Sequence, residues 1–193
     1  MDRFAFFGIL SFLFSTLAYF PYVDGVLRSK TRPTISTWIS WTLMDASIFA
    51  GMIAQEEIAW QMLAYVLGSL VVVAVSIYKG ASLGWKLLDT ICVAIVIGAL
   101  AGWFITGDAK VAIVLGLISA VVGSVPMLIN TWKSPFNELL MPWILVLLGG
   151  ICGIGAIANW TIVGAATPVT FLVIQAAFVL LIGRRFFVER APA

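Results

Sequence analysis

The apolar residues of this chain come in runs of about 20, separated by short segments that contain charges, glycine or proline. An α-helix of that length crosses about 30 Å of hydrocarbon at about 1.5 Å per residue. Composition agrees, since 62% of the residues are hydrophobic and 10% are charged. Soluble domains are about half apolar and about a quarter charged. The sequence therefore predicts an integral membrane protein that shares much of its apolar surface with lipid.

Seven transmembrane helices are predicted from these runs and the breaks between them. They are expected near residues 4–23, 35–54, 59–78, 86–106, 109–131, 138–158 and 162–184. The first run is too long for the core of a secretory signal, and no small-residue cleavage site follows it. We therefore interpret it as a spanning helix, and the predicted fold class is an all-α integral membrane protein.

Basic residues are concentrated in alternate connecting segments. One set of segments contains Arg28, Lys30, Arg32, Lys79, Lys86, Lys133, Arg184, Arg185 and Arg190, and the other set contains Arg3 and Lys110. Because cytoplasmic loops carry the excess of Lys and Arg, the N-terminus is expected outside and the C-terminus in the cytoplasm. Glu56 and Glu57 then lie outside. The expected location is the plasma or inner membrane, and the orientation requires an odd number of spans.

The sequence lacks the residues that several functional classes of protein need. Histidine is absent and the two cysteines, Cys92 and Cys152, lie inside apolar runs, which argues against His-based catalysis and zinc-type sites. No phosphate-binding glycine loop, nucleophile elbow or paired carboxylate is found, so neither an enzyme nor a cofactor is expected. The basic residues form no cluster of the kind that nucleic acid requires. A retinal protein is not expected either, because it needs a lysine within the seventh span for the Schiff base, and the seventh predicted span has none.

The chain also contains an internal repeat. The matching positions are Pro21 and Pro126, Arg28-Ser29 and Lys133-Ser134, Pro33 and Pro135, and Trp41 and Trp143. One extra span separates the copies, so both run in the same direction: a first three-helix unit (1–80), a linker helix (81–107) and a second three-helix unit (108–193). Parallel repeats of this kind are typical of transporters with a substrate site between the units, near mid-membrane.

This layout resembles the PQ-loop and SWEET superfamily. Pro21-Tyr22 and Pro126-Met127 stand where that superfamily has its proline-glutamine or related dipeptide. The resemblance implies two rocking units with hinges at Pro21, Pro126 and Pro142. Sugar-carrying members hold substrate with asparagines in the third helix of each unit, and no asparagine occurs there in this chain. Vitamin-precursor carriers of the PnuC type look similar in layout and are a second candidate relative.

Asp45 falls midway along the second predicted span, where a carboxylate costs at least about 2.5 kcal/mol on insertion scales. At about 100° per residue, Trp38, Trp41 and Asp45 share one helix face. We predict that this face lines a cavity where the carboxylate stays hydrated and the indoles stack on a ring-shaped substrate. The alternative is a protonated or hydrogen-bonded structural Asp45, with the tryptophans, Trp38 above all, as interface anchors.

Further substrate-binding candidates come from the other spans. Trp143 is the repeat partner of Trp41 and would close the cavity from the second unit. The third helix of each unit contributes polar residues, namely Tyr65, Ser69, Thr170 and Gln175. Asp89 is expected to form an interfacial ion pair with Lys86. The glycine pairs at 98 and 102 and at 149 and 153 predict close helix packing within the monomer, with dimerisation as the lesser alternative.

The predicted function is transport of a small polar molecule by alternating access through a central site. The substrate would be a sugar, a vitamin precursor or another small polar solute, and Asp45 would either neutralise a cationic substrate or carry a coupling proton. Facilitated diffusion stays open, as does homo-oligomerisation. The alternative is a membrane receptor or sorting protein of the same fold, which would bind ligand without flux.

Overall fold

The computed structural model describes residues 2–31, 33, 35–56, 60–81 and 83–187, without the side chains of Pro126 and Ile162. Arg32, Glu57 and Arg190, which contribute to the orientation argument, lie outside the described residues. The regular structure within the described ranges is helical. Its α-helices are α1 (Arg3–Leu27), α2 (Ile35–Ala54), α3 (Trp60–Tyr78), α4 (Leu87–Thr106), α5 (Lys110–Lys133), α6 (Leu140–Gly155) and α7 (Ile162–Gly183). Short 3₁₀ turns occur at Pro135–Asn137 and Arg184–Phe186.

The helix positions agree with the predicted ones to within a few residues, and the differences have local causes. Helix α1 continues one turn beyond the predicted end at residue 23, to Leu27. An ion pair at i,i+4, between Asp24 and Arg28 at 2.7 Å, supports that last turn. Helix α4 ends where Gly107 adopts a left-handed conformation with φ of 67°, which glycine reaches without steric cost.

Five of the described helices are long and apolar enough to cross a membrane: α1, α3, α4, α5 and the α7 region. Helix α6 is apolar but has only 16 residues. Helix α2 contains a carboxyl group and several hydroxyl groups, which lower its mean hydropathy. The chain thus has the helix content of a multi-pass membrane protein.

Helix packing leaves α4 at the periphery. Helix α3 packs against α1 and α2, and α7 packs against α5 and α6. The two sets meet where α1 packs on α6 and α2 packs on α5, whereas α4 contacts only α5 and α2 to any extent. Helix α2 buries side chains around most of its axis, Asp45 among them, and leaves one apolar face exposed at Leu43, Ala46 and Ile53. This enclosure explains how the polar residues of α2 are tolerated in an otherwise apolar molecule.

Connections at one end of the bundle are tied together, and we call this the basic end. The Thr31 hydroxyl donates to the Asn137 carbonyl at 3.5 Å, and the Ser36 backbone N–H donates to the Leu83 carbonyl at 3.0 Å. The Arg185 guanidinium donates to the Glu138 carbonyl at 3.3 Å. The described cations at this end are Arg28, Lys30, Lys79, Lys86, Lys133, Arg184 and Arg185. The predicted charge asymmetry therefore distinguishes two physical ends of the molecule.

Glycines of α6 allow the close approach of α1. A Cβ at Gly149 would overlap the Ser15 hydroxyl and lie 3.1 Å from the Ser11 carbonyl. The Ser11 hydroxyl donates to the Gly149 carbonyl at 2.7 Å. A Cβ at Gly153 would also meet the Ser11 hydroxyl, at 3.3 Å. The prediction that this glycine pair packs within the monomer is confirmed.

Helix α4 differs from its predictions in two details. The Asp89 carboxylate accepts a hydrogen bond from the backbone N–H of Lys86 at 2.8 Å, so it caps the first turn and does not pair with the Lys86 ammonium in the described structure. A Cβ at Gly102 would lie 2.9 Å from Val111, but one at Gly98 would meet nothing within 4 Å. The close-packing prediction is therefore wrong for Gly98, which lies on an uncovered face of α4.

Candidate functional site

A cavity of about 90 Å³ lies between six helices, with walls from α1, α2, α3, α5, α6 and α7. Seven of the predicted substrate-binding residues line it: Trp38, Trp41, Asp45, Tyr65, Ser69, Trp143 and Gln175. Thr170 does not line it and is only half-buried. The walls that sequence reasoning missed consist of Ala18, Tyr19, Tyr22, Met44, Ala120, Ser124, Val146, Phe171 and Ile174. Small side chains on α1 and α5 leave the space that larger residues surround.

Asp45 is the one residue with a charged side chain among those that line this central cavity. Its side chain is 4% exposed, and Oδ1 has no hydrogen-bond partner within the described ranges. A buried carboxylate without a partner is costly, because the lost hydration is not replaced. The structure thus gives no support to the alternative that Oδ1 of Asp45 has a structural role through a hydrogen bond. This oxygen is available to a bound molecule.

Aromatic rings form an arc around the basic-end half of the central cavity. Ring centroids of Tyr22 and Trp38 lie 5.0 Å apart, and those of Trp38 and Trp41 lie 5.3 Å apart. The Phe178 ring of α7 lies between two of the indoles. Its centroid is 6.5 Å from that of Trp41 and 4.0 Å from that of Trp143, on which it stacks. We call these five residues the aromatic arc. Trp38 is 6% exposed, so it belongs to the interior and does not act as an interface anchor.

Four further polar atoms of residues that line the central cavity lack partners in the described structure. They are Nε1 of Trp41, Nε1 of Trp143, the Tyr22 hydroxyl and Oε1 of Gln175. Buried polar atoms in folded proteins are almost always hydrogen-bonded to protein or water. Together with the Asp45 carboxyl, they comprise two indole donors, two oxygen acceptors and one hydroxyl group that can donate or accept.

The cavity is closed on the side away from the basic end by a link between α3 and α7. The Gln175 side-chain nitrogen donates to the Tyr65 hydroxyl, and the Tyr65 and Phe171 rings pack at 5.2 Å. The Tyr19 hydroxyl donates to the Tyr65 carbonyl at 3.4 Å, which adds α1. By contrast, the Ser69 hydroxyl donates to a carbonyl of its own helix. Tyr65 and Gln175 are therefore barrier residues as well as cavity lining.

A second, larger cavity of about 600 Å³ lies at the basic end, and we call it the vestibule. Its charged lining residues are Lys30, Lys86, Asp89, Lys133 and Glu138. Tyr22 and Trp38 line both the vestibule and the central cavity. A thin aromatic partition thus separates the two spaces.

Glu138 is a half-buried acid at the vestibule, with a buried Oε2 atom, that the sequence did not single out. It lies between the 3₁₀ turn and α6, and its Oε2 has no hydrogen-bond partner in the described part of the chain. Desolvation by burial raises the pKa of Glu138 to about 7, although the nearby Trp143 indole N–H lowers it somewhat. That N–H falls short of hydrogen-bond geometry. Glu138 therefore changes charge near neutral pH, at the boundary between the vestibule and the aromatic arc.

At the opposite end, a groove of about 190 Å³ lies between α1, α3, α6 and α7. It shares no lining residue with the central cavity. Polar side chains fill the layer between them, among them Ser11, Ser15, Gln61 and Tyr65. The barrier toward the opposite end is therefore thicker than the Tyr22–Trp38 partition.

The proline positions differ in what they do to their helices. Pro21 lies inside α1, where it removes an intrahelical hydrogen bond. Pro142 lies in the first turn of α6 and lines the central cavity, but a proline there removes no such bond. Pro126 lies within α5, and its side chain is outside the described structure. Pro168 inside α7 was not predicted as a hinge, although it interrupts its helix in the same way as Pro21.

The described residues contain no group of three or more His, Cys, Asp or Glu that could hold a metal ion. Comparisons with known protein families, with curated proteins and with solved structures give no match. What can be inferred about function therefore rests on the residues and geometry of the two cavities.

Proposed function

We propose that this protein is a membrane transporter that moves a small polar molecule by alternating access through the central cavity. The observation that carries the proposal is the enclosed cavity with the Asp45 carboxyl, between a thin aromatic partition and a thicker polar barrier. Alternating access needs a central site that is open to one side at a time. A barrier that is thin toward the basic end and thick toward the opposite end suits a state about to open at the basic end.

Helix packing supports two equivalent three-helix units, α1–α3 and α5–α7, joined by α4. Within each unit the third helix packs against the first and the second. Between units, the first helix of each packs on the second helix of the other, as α1 on α6 and α5 on α2. Exchanging the units therefore maps each of these contacts onto another one. The peripheral α4 suits a linker that lets both units run in the same direction.

Burial follows the same correspondence. Five pairs of positions in α3 and α7 have one constant separation along the chain, and both members are buried: Gln61 and Thr167, Tyr65 and Phe171, Ser69 and Gln175, Val72 and Phe178, and Ser76 and Ile182. In α2 and α6, positions with the same separation as Trp41 and Trp143 are Ser40 and Pro142, Ser47 and Gly149, Ile48 and Gly150, and Gly51 and Gly153, again all buried. The same register of buried positions is expected if the two units have equivalent folds.

In this proposal all seven helices span the bilayer. Helix α6 covers only about 24 Å at about 1.5 Å per residue, and local bilayer thinning or enclosure by neighbours accommodates that mismatch. Helix α2 crosses despite its polar residues because these are buried against other helices, while its exposed face is apolar. The basic end is cytoplasmic and the N-terminus is outside. The vestibule then faces the cytoplasm.

The resemblance to PQ-loop and SWEET-like carriers belongs to the proposal as well. It rests on Pro21-Tyr22, on Pro126-Met127 and on the three-plus-one-plus-three layout. Pro21 and Pro126 are the proposed hinges, since both lie within helices. We add Pro168 for the same reason.

The test is uptake by proteoliposomes after a thermal-shift screen of sugars, nucleosides, vitamins, amino acids and amines. A ligand that binds the folded state raises the melting temperature, so each hit is then assayed for flux. Asp45→Asn should abolish uptake or lower it at least tenfold. Asp24→Asn, which makes the same change at an exposed position of α1, should leave it unchanged. Saturable binding without flux would point to the receptor alternative, and full uptake by Asp45→Asn would remove Asp45 from the mechanism.

A further inference from the structure

We infer that the central cavity binds a small organic cation, an ammonium group with only a few carbon atoms. This inference names the substrate class of the proposed transporter and therefore rests on the proposed function. It is carried by three properties of the cavity: its single charge, its aromatic wall and its volume.

The charge of the lining is of one sign. Asp45 contributes a carboxyl, and no lysine or arginine is among the described residues that line the central cavity. The vestibule differs, since Lys30, Lys86 and Lys133 line it. An anionic substrate could thus be held in the vestibule but would meet only repulsion beside Asp45. A cation supplies the partner that the buried carboxyl lacks within the described structure.

Seven of the residues that line the cavity with this carboxyl are aromatic. Among them are Tyr19, Tyr22, Trp38, Trp41 and Trp143. Faces of Trp and Tyr rings attract ammonium groups within about 6 Å of the ring centre, and cages of such rings recognise quaternary ammonium ligands. Alkyl groups on the nitrogen also pack well against carbon. One buried acid and five aromatic rings therefore form a cage suited to an alkylammonium ion.

A sugar fits this cavity poorly. Each of its hydroxyl groups loses water on binding and needs a new partner. Five polar atoms of the lining residues have no partner in the described structure, namely Asp45 Oδ1, Trp41 Nε1, Trp143 Nε1, the Tyr22 hydroxyl and Gln175 Oε1, and each hydroxyl group of a sugar needs both a donor and an acceptor. Most of the hydroxyl groups of a sugar would face carbon. Of the substrates considered from the sequence, namely sugars, vitamin precursors and other small polar solutes, the cavity favours a molecule with one charge and few other polar groups.

The volume limits the size of the cation. About 90 Å³ is available, whereas a cavity of about 150 Å³ is known to admit benzene. An ammonium ion of about five heavy atoms is consistent with the smaller space. Larger rings would require the aromatic arc to move.

The experiment measures binding to the purified full chain in detergent, with tetramethylammonium as the probe and sodium chloride at equal ionic strength as the reference. Bound tetramethylammonium should raise the melting temperature and change the tryptophan fluorescence, because Trp38, Trp41 and Trp143 surround it. A neutral molecule of similar shape, tert-butanol, should do neither at the same concentration. Asp45→Asn should weaken binding at least tenfold, and Asp24→Asn should not change it.

A variant that keeps Asp45 provides a check if Asp45→Asn does not fold. Ala120→Leu adds carbon to the cavity wall from α5, so it should also abolish the response to tetramethylammonium. No response of the wild-type protein to any alkylammonium, or an equal response to tert-butanol, would overturn the inference. So would unchanged binding in folded Asp45→Asn.

Flux separates this inference from the proposed function. Radiolabelled tetramethylammonium is offered to proteoliposomes that contain the wild-type protein. Uptake that Asp45→Asn abolishes supports both. Binding without uptake overturns the transporter and leaves the ligand class standing. Uptake of a neutral solute by a protein that does not bind tetramethylammonium overturns the ligand class and leaves the transporter standing.

Discussion

Two acidic residues carry most of the chemistry at the scale of single residues. Asp45 was predictable, because a carboxyl in a long apolar run costs free energy that an unimportant residue would not incur. Glu138 was not, because it is the first residue of the sixth predicted span (138–158), and an exposed acid is ordinary at the start of a helix. Its burial depends on the vestibule walls, which come from other parts of the chain. Only the folded arrangement identifies it.

Glu138 makes stability depend on pH in a stated direction. Its pKa is about 7 in the folded protein against 4.5 for an ordinary glutamate. Between these values the unfolded chain has lost the proton and the folded protein keeps it. The free energy of unfolding therefore falls as pH rises through this window, by at most about 3 kcal/mol, and is level above it.

Glu138→Gln should remove this fall, since glutamine resembles the neutral acid and does not ionise. The measurement is the melting temperature in detergent at pH 5 and pH 8. We expect melting temperatures that differ little at pH 5, where most of the fall has yet to occur, and a variant that melts several degrees higher than the wild type at pH 8. Glu56→Gln, at an exposed position of the opposite end, should not change the wild-type pattern. Equal melting temperatures of Glu138→Gln and wild type at pH 8 would mean that the Glu138 carboxylate is well hydrated.

Secondary-structure elements were the most predictable level of this protein. Run length and charged breaks located each helix, because hydrocarbon thickness fixes how long a spanning helix must be. It was harder to predict which side chains face the interior in helices that are apolar throughout. Helix α7 offers no polar face to orient it, so Phe178 could not be assigned to the aromatic arc. Ala18 and Ala120 were missed because a small apolar residue looks the same at a cavity as at any helix contact.

The contact between α6 and α1 should depend on Gly149. Gly149→Ala would press a methyl group against Ser15 and Ser11. Overpacking of this kind costs about 1–3 kcal/mol, so the variant should melt several degrees below the wild type. Gly98→Ala is the matched control, because its methyl group would meet nothing within 4 Å and alanine favours the helix by up to about 1 kcal/mol. Equal melting of both variants would mean that α1 and α6 can separate without loss.

At the scale of the whole molecule, the two barriers differ in kind. Toward the basic end, the aromatic side chains of Tyr22 and Trp38 divide the central cavity from the vestibule, and rotation of these side chains can open the partition without movement of whole helices. Toward the opposite end, the barrier includes the Tyr65–Gln175 hydrogen bond and the close contact of α1 with α6. Opening that side requires helices to move apart. The molecule is therefore expected to reach the basic-end-open state more readily than the opposite one.

This difference predicts one-sided labelling of the central cavity. Ser124 of α5 lines it and is nearly fully buried. In a background with Cys92→Ala and Cys152→Ala, the variant Ser124→Cys is reconstituted and exposed to a membrane-impermeant trimethylammonium thiosulfonate on either side. We expect much faster labelling from the basic-end side. Phe4→Cys, at the opposite groove, is the control and should label only from the other side. The sides are identified by protease cleavage of the C-terminal segment. Equal labelling of Ser124→Cys from both sides would contradict the barrier assignment, and absence of labelling from either side would mean that the partition does not open.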